Sequence, residues 1–395
     1  MGKPLAAIVG YAMTEVGDFQ HSTPLELAAR VFRESIAHAG VEKKDVEGLI
    51  ITPEGFGCPN AMIWGPRLCE YFGLPVKSLT QMECGGASSA ICLKYAAAEI
   101  ALRNLDIAVV LAVDVRAATP TDQRNFLSSL IWGQMGLYGP YLAPYGAFTP
   151  IHMYAMGVQR YMFEYGVTAR EIAHLPVVLR EYASKNEFAQ FRTPITVDDV
   201  LNSRMVSPPI HQLECCPLSD GAAAIVLASV ETARKISPKP VWITAFGEYH
   251  DSSHFVYGAR ALSTFPGVEI AAKQACEKAG VTPKDVDLAE IYGVFAGTEL
   301  ITYEDFGFFP RGHAAAAVVE GRTRAGGDVP INVSGGRLSF GHPATATPLM
   351  EAIELCAQLR GEAGERQLPD PVVGAFQGEH GMVNGAVVAI LEKGG

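Results

Sequence analysis

The sequence predicts an α/β fold made of two equivalent halves, and three observations carry that prediction. Residues 39–46 (Ala-Gly-Val-Glu-Lys-Lys-Asp-Val) return almost unchanged at 279–286 (Ala-Gly-Val-Thr-Pro-Lys-Asp-Val). Residues 220–227 (Asp-Gly-Ala-Ala-Ala-Ile-Val-Leu) match 384–391 (Asn-Gly-Ala-Val-Val-Ala-Ile-Leu). Apolar strands alternate with helical stretches along both halves, the pattern of a sheet with helices on its faces.

The elements follow in order. The first half reads as strand 6–10, helix 24–39, strand 48–51, helix 87–102, strand 107–113 and strand 222–228. The second reads as strand 241–246, helix 268–279, strand 288–292, helix 344–359, strand 371–376 and strand 385–391. Each Ala-Gly-Val copy follows an amphipathic helix and precedes an apolar strand. Asp220-Gly and Asn384-Gly each read as a tight hairpin turn leading into a buried strand. The span from Asp45 to Asp220 is much longer than that from Asp285 to Asn384. The surplus falls between strand 107–113 and Asp220, is rich in Tyr, Met and Pro, and includes a helical segment at 169–184. It reads as an excursion lying over the site where the halves meet, or as a dimerisation flap. The resulting division is an N-terminal half of 1–116 plus 206–235, an inserted segment of 117–205, and a C-terminal half of 236–395. Ligands of such sheets bind beyond the strand ends, where helix N-termini point.

Composition narrows the function. A chain of 395 residues makes two or three domain-sized units. With 49% apolar and 18% charged residues it can bury large cores, which excludes disorder. A formal net charge of −11 argues against nucleic-acid binding, so an anionic ligand needs a local basic patch or backbone N–H groups. The cysteines (Cys58, Cys69, Cys84, Cys92, Cys215, Cys216, Cys276, Cys356) show no C-x-x-C pair and no zinc spacing. They suit a reducing cytosol, and no metal site is expected. The N-terminus lacks a signal-peptide core, and no uncharged apolar run has membrane-spanning length. The expectation is a soluble cytoplasmic protein with no membrane partner.

Chemistry concentrates in a few places. Glu83-Cys84-Gly85-Gly86-Ala87-Ser88-Ser89 opens a helix. A thiol there stands near the positive helix end, which favours the thiolate, and the same N–H groups could hold an oxyanion. A buried cysteine beside a helix cap is the alternative. Asn332-Val-Ser-Gly-Gly-Arg-Leu-Ser-Phe-Gly341-His342-Pro343 takes the corresponding place in the second half. The repeat therefore brings His342 and Cys84 toward one cleft, where an imidazole can take a proton from a thiol or a substrate carbon. A capping histidine is the plainer reading. Gln377-Gly-Glu-His380-Gly is a polar knot after a strand, either a catalytic feature or a structural bulge. Tyr292 ends a strand and could point its phenol into the cleft, or simply belong to core or rim.

At these residues the chain resembles the thiolase superfamily over nearly its whole length. The resemblance rests on the repeated βαβαβ halves, the long first-half insertion, Pro217-Leu-Ser-Asp-Gly-Ala-Ala-Ala, Asn332 to Gly336, Gly341-His342-Pro343 and Gln358-Leu-Arg-Gly361. It implies a five-layer αβαβα architecture, an obligate homodimer, a CoA thioester substrate and C–C bond chemistry beside it. CoA would be co-substrate, with no covalently bound cofactor. The family's nucleophilic cysteine falls on Gly86, two residues after Cys84. Its Asn or His beside the thioester oxygen is replaced by Tyr292. Its second, acid/base cysteine is absent, and His380 lies closest to that place. These departures resemble the lipid-transfer-protein branch near sterol carrier protein X. That branch holds steroid side-chain retro-aldolases, diacetylphloroglucinol acyltransferases and aryl-acyl thiolases such as benzoylsuccinyl-CoA thiolase. Its members often need a small accessory subunit with an OB fold and a zinc ribbon.

The leading expectation is catabolic thiolytic cleavage of a bulky 3-oxoacyl-CoA, or its reverse. Cys84 would be the nucleophile and His342 its base, while Tyr292, Gly85, Gly86 and Gly341 shape the oxyanion turn and His380 assists. The runner-up is a retro-aldolase acting on a 3-hydroxyacyl-CoA through Tyr292 or His342. A non-catalytic acyl-CoA or sterol binding subunit is the third. Trp132, Met135, Tyr138, Tyr141, Tyr145, Phe148, Met153 and Tyr154 would line a wide apolar pocket, although core packing explains such a set equally well.

Overall fold

A computed structural model describes residues 2–19, 22–55, 61–116, 124, 128, 142–147, 149–251, 261–381 and 384–394. Of the aromatic and methionine residues above, Trp132, Met135, Tyr138, Tyr141 and Phe148 lie outside the described residues. The first half comprises β1 (Ala6–Met13), α1 (Pro24–Ala39), β2 (Gly48–Ile51), α2 (Ala61–Phe72), β3 (Ser78–Gln81), α3 (Ser88–Ala101) and β4 (Ile107–Asp114). The excursion carries α4 (Pro150–Tyr165), α5 (Ala169–Ile172), α6 (His174–Ser184), α7 (Val197–Asn202) and a small ribbon of β5 (Met205–Ser207) with β6 (Ile210–His211). It returns through β7 (Gly221–Ala228) and α8 (Val230–Ile236). The second half comprises β8 (Val241–His250), α9 (Pro266–Ala279), β9 (Leu288–Ile291), α10 (Ala296–Phe306), α11 (Ala314–Val319), α12 (Thr347–Arg360), β10 (Val373–His380) and β11 (Gly385–Lys393).

The sheet order is β3-β2-β4-β7-β1-β8-β11-β10-β9. It is two sheets joined where Ala6–Ile8 of β1 meet Val241–Ile243 of β8. The halves repeat each other in register sense. β1 and β8 each run antiparallel to the last strand of their half, β7 and β11, while β2 and β9 run parallel to β4 and β10. The place of β3 is taken in the second half by Ile331, which bridges Ala289 in parallel.

Strand periodicity explains the layering. Alternate residues of β1 and β4 enter different cores: Ala6, Ile8, Ala108 and Val110 face the middle, while Ala7, Val9, Val109 and Leu111 face outward. The outward face packs Leu27, Val31 and Phe32 of α1. The middle face packs Leu93, Ala96 and Ile100 of α3 together with Leu349, Ile353 and Leu355 of α12. β11 divides likewise, with Val387 and Ala389 toward the middle and Val388 and Ile390 toward Val268 and Ala271 of α9. Both faces of both sheets are covered, which gives the five-layer αβαβα arrangement. Local chemistry sets the ends: Thr23 and Glu26 form a capping box at α1, and Gly40 closes the helix in the left-handed region at φ 67°.

Three readings change. Asp220 is no hairpin turn, because the neighbours of β7 are the sequence-distant β1 and β4. Its carboxylate instead accepts from the backbone N–H groups of Phe19 and Arg116. Gln377–His380 is no bulge after a strand but the end of β10, fully paired with β11. α2, β3, α10 and α11 were not anticipated. α4 and α6 pack onto the second half, where Val158 touches Gly297 and Leu179 touches Gly336, so the excursion does lie against the inter-half region. No helix among the described residues is long and apolar enough to cross a membrane, and no group of His, Cys, Asp and Glu among them has a metal-binding arrangement.

Candidate active site

The two central helices bring the two glycine-rich turns together. α3 and α12 touch at their starts, where Leu349 N–H donates to Ser89 Oγ. The turn before α3 holds Cys84 to Gly86, and the turn before α12 holds Gly341 to Pro343. β9 ends at Ile291 opposite Gln377 and leads into Tyr292, while β10 runs on three residues further and delivers Glu379 and His380.

His342 is fixed through its backbone. Its N–H donates to Ser219 Oγ at 2.9 Å, and its carbonyl accepts from the Arg116 guanidinium. Asp114, at the end of β4, pairs with Arg116 at 3.0 Å and accepts from Thr345 N–H at 2.9 Å. Gly341 is needed beside it: its φ is 117°, and a Cβ would stand 2.4 Å from Val16 Cγ1. His342 Nε2 lies 2.6 Å from Tyr292 Oη, with the rings edge-on at 5.2 Å. Both are buried. Burial holds the imidazole well below its usual range, and Arg116 and Arg337 push the same way, so the ring is neutral. Burial likewise holds the phenol far above its usual range, reinforced by Glu379 and Cys216 and opposed by Arg116. The result is a neutral phenol–imidazole pair. When Nε2–H donates to Oη, the phenol O–H is free for a substrate oxygen. In the other tautomer the phenol O–H donates to Nε2.

Gly86 faces this pair. A Cβ on it would stand 2.3 Å from Tyr292 Oη and 3.1 Å from the Glu379 carbonyl. The phenol therefore fills the space where a side chain at position 86 would project.

Cys84 stands next to His380, with Sγ 3.6 Å from Nδ1. The expected thiolate-favouring helix end is not available to it. Ala87 N–H donates to the Cys84 carbonyl and Ser88 N–H to the Gly85 carbonyl, so the first donors close the turn itself. The N–H of Cys84 goes to Ser88 Oγ at 2.8 Å. Burial pushes the thiol above its usual range, and Glu248 and Glu83 add to that. This corrects the expected lowered thiol and replaces His342 by His380 as its imidazole. Gly85 takes φ 59°, the left-handed geometry the turn requires. Burial lowers His380 below the usual imidazole range, against the pull of Glu248.

The four side chains singled out in the sequence thus form two pairs, Tyr292–His342 and Cys84–His380, linked through Gly86 and Glu379. Sequence reasoning missed Arg116, Asp114 and Glu248, and gave no part in the site chemistry to Ser219, Tyr154 or Glu379. Tyr154 of α4 donates to Glu379 and packs on Phe295, so the excursion contributes a wall of the site. Ser219 and Glu379 lay in singled-out runs, and Tyr154 was expected only as a pocket-lining residue.

The comparisons agree with this architecture. Residues 6–231 match the family described as Thiolase, N-terminal domain, and residues 247–393 match Thiolase C-terminal domain-like. The chain is 31% identical over 392 residues to an acetyl-CoA acetyltransferase of Methanothermobacter thermautotrophicus, covering 98% of this chain and 99% of the relative. It is 29% identical over 355 residues to a steroid side-chain-cleaving aldolase of Thermomonospora curvata, covering 89% and 90%. Among solved structures, the Ltp2-ChsH2(DUF35) aldolase superposes with a TM-score of 0.84 at 27% identity over 98% of both chains. Human mitochondrial 3-ketoacyl-CoA thiolase shares the fold with a TM-score of 0.74 at 14% identity, covering all of both chains. By family match and by relatives, the chain belongs to the thiolase family and is an acyl-CoA enzyme of that family.

Proposed function

We propose that this enzyme cleaves a bulky 3-oxoacyl-CoA thiolytically, or runs the reverse condensation. The observation that carries the reading is Cys84 Sγ standing 3.6 Å from His380 Nδ1, a nucleophile within reach of its base. His380 takes the thiol proton and Cys84 sulfur attacks the ketone carbon. The phenol of Tyr292, held by His342, donates to the oxygen that gains charge. The bond between C2 and C3 breaks, its electron pair forms the CoA enolate, and the proton on His380 moves to C2. The acyl group then rests on Cys84 until the thiol of a second CoA takes it, returning its proton through His380. This reading gives work to both pairs.

A specific observation favours a second reading, aldol cleavage of a 3-hydroxyacyl-CoA. The Tyr292 phenol fills the space beside Gly86, 2.6 Å from neutral His342. That pair can take the β-hydroxyl proton while C2–C3 breaks, with no covalent intermediate. Cys84→Ser and Tyr292→Phe separate the two. Thiolysis predicts that Cys84→Ser loses nearly all turnover and that a 3-oxoacyl-CoA adds an acyl mass to the Cys84 peptide of the wild type. An almost silent Cys84→Ser, with a severe Tyr292→Phe and cleavage that needs no free CoA, would replace thiolysis by the aldolase reading.

The proposed assembly is a homodimer with a small OB-fold, zinc-ribbon accessory subunit, supported by the likeness to the Ltp2-ChsH2(DUF35) structure. Full turnover by this chain alone, with no co-purifying protein, would overturn the accessory subunit.

A further inference from the structure

His380 has a second nitrogen that the chemistry above leaves unused. Nε2 lies on the far side of the ring from Cys84 and has no hydrogen-bond partner among the described residues, although the side chain is only 7% exposed. Glu248 Oε1 stands 3.7 Å from it. Glu248 sits near the end of β8, pairs through its other oxygen with Lys94 of α3, and donates its backbone N–H to Gln274 Oε1 at 3.2 Å. Three separate elements, α3, β8 and β10, therefore converge on one imidazole. The charged and titratable groups around it are Glu83, Cys84, Lys94, Glu248 and His250, whose ring centroid is 5.8 Å from that of His380.

A buried ring N–H aimed at a carboxylate, with a thiol at the opposite nitrogen, is the geometry of nucleophile, base and orienter. We infer that Glu248 is a positioning residue that completes a Cys84–His380–Glu248 triad separate from the Tyr292–His342 pair. It holds the tautomer with hydrogen on Nε2, which leaves the Nδ1 lone pair facing the thiol. When the thiol proton moves to Nδ1, the imidazolium meets its counter-charge where the charge appears. The 3.7 Å gap fits an unliganded site, where such contacts are long and tighten as charge develops. Lys94 on the outer oxygen keeps the carboxylate aimed. The inference deepens the thiolytic reading and rests on His380 serving Cys84.

The sign of one substitution tests it. A carboxylate close to a thiol, acting directly, disfavours the thiolate. If Glu248 were only a nearby charge, Glu248→Gln would speed alkylation of Cys84. If it acts through His380, Glu248→Gln slows it. The experiment is the rate of carbamidomethylation of Cys84 by iodoacetamide on the folded full chain, followed by the mass of the Cys84 peptide between mildly acid and alkaline pH. The expected result is labelling slowed about tenfold near neutral pH by Glu248→Gln, with the profile displaced to higher pH. Glu248→Asp should recover part of the rate. In a His380→Ala background, Glu248→Gln should slow nothing further and instead speed labelling slightly. Faster labelling in the Glu248→Gln single variant, or equal slowing with and without His380, overturns the inference. Because the readout is chemical labelling, it stands apart from turnover. If Cys84→Ser keeps full activity while the labelling results hold, thiolysis fails and the triad survives.

Discussion

At the residue scale, each pair owes its place to backbone rather than to its own side chain, and this makes side-chain deletions clean tests. The N–H and carbonyl of His342 are held by Ser219 and Arg116 whatever the side chain. His342→Ala should therefore keep its fold by circular dichroism and melting while losing turnover by roughly 10²–10⁴. Near-normal turnover would assign the histidine to capping alone. Gly86→Ala acts in the opposite sense, by adding an atom. The new methyl would stand 2.3 Å from Tyr292 Oη, so the phenol must leave His342. Turnover should fall as far as in Tyr292→Phe, with a stability loss of about 1–3 kcal/mol in denaturant titration. All four principal side chains were legible, because reactive groups stood beside glycine turns or a strand end. Their pairing was not. Whether Cys84 meets His342 or His380 depends on how far β10 runs, and Gln377–His380 read as loop because polar residues rarely fill the end of a buried strand. Arg116 and Glu248 are single polar residues in ordinary contexts, and no spacing marks them.

At the element scale, the end of β9 is aligned by a buried polar lattice. Asn332 Oδ1 accepts from Ile291 N–H at 2.6 Å, and its amide donates to the Ile291 carbonyl and to Glu299 Oε1. Glu299 also accepts from Tyr303, and Glu290 accepts from Ser334. Arg337 and Glu351, both buried, face each other at 3.5 Å. This lattice lies directly behind Tyr292. Burial pushes the Glu299 carboxyl up to about 8, so the folded state keeps a proton there that the unfolded chain releases near 4.5. Its contribution is full below the unfolded value and is lost as pH rises through about 8. Unfolding titrations should show stability falling between mildly acid pH and pH values above that range. Glu299→Gln keeps an acceptor for Asn332 and Tyr303 and removes the titration, so it should flatten the decline. An unchanged slope would place the titration elsewhere. Elements with strong period, such as α1 and β4, were legible to within a residue or two. α10 was not, because its polar residues (Thr298, Glu299, Thr302, Glu304, Asp305) are buried along with its apolar ones and leave no apolar stripe. β3 was not, because four half-exposed residues carry no alternation.

At the scale of the whole molecule, the same short strand is where the sheet stops. β3 pairs with β2 on one side only. Ser78 N–H and Met82 N–H point inward to the carbonyls of Glu47 and Ile51, so alternation turns the N–H groups of Leu79 and Gln81 toward the open edge. Beside that edge, α2 exposes Met62 at 89% and Ile63 at 52%. No strand among the described residues pairs with that edge, and an open edge next to exposed apolar side chains is a ready template for another strand. A twofold axis at β3 would pair it antiparallel with the same strand of a second copy, and the family resemblance implies a dimer. Light scattering at micromolar concentration should therefore report twice the chain mass. Gln81→Pro removes an outward donor and leaves the inward ladder to β2 intact, so it should shift the protein toward monomer without unfolding it. The same substitution distinguishes interfaces: if the exposed face of α2 alone held the dimer, Gln81→Pro would leave the mass unchanged, and a monomeric wild type would remove the β3 axis altogether.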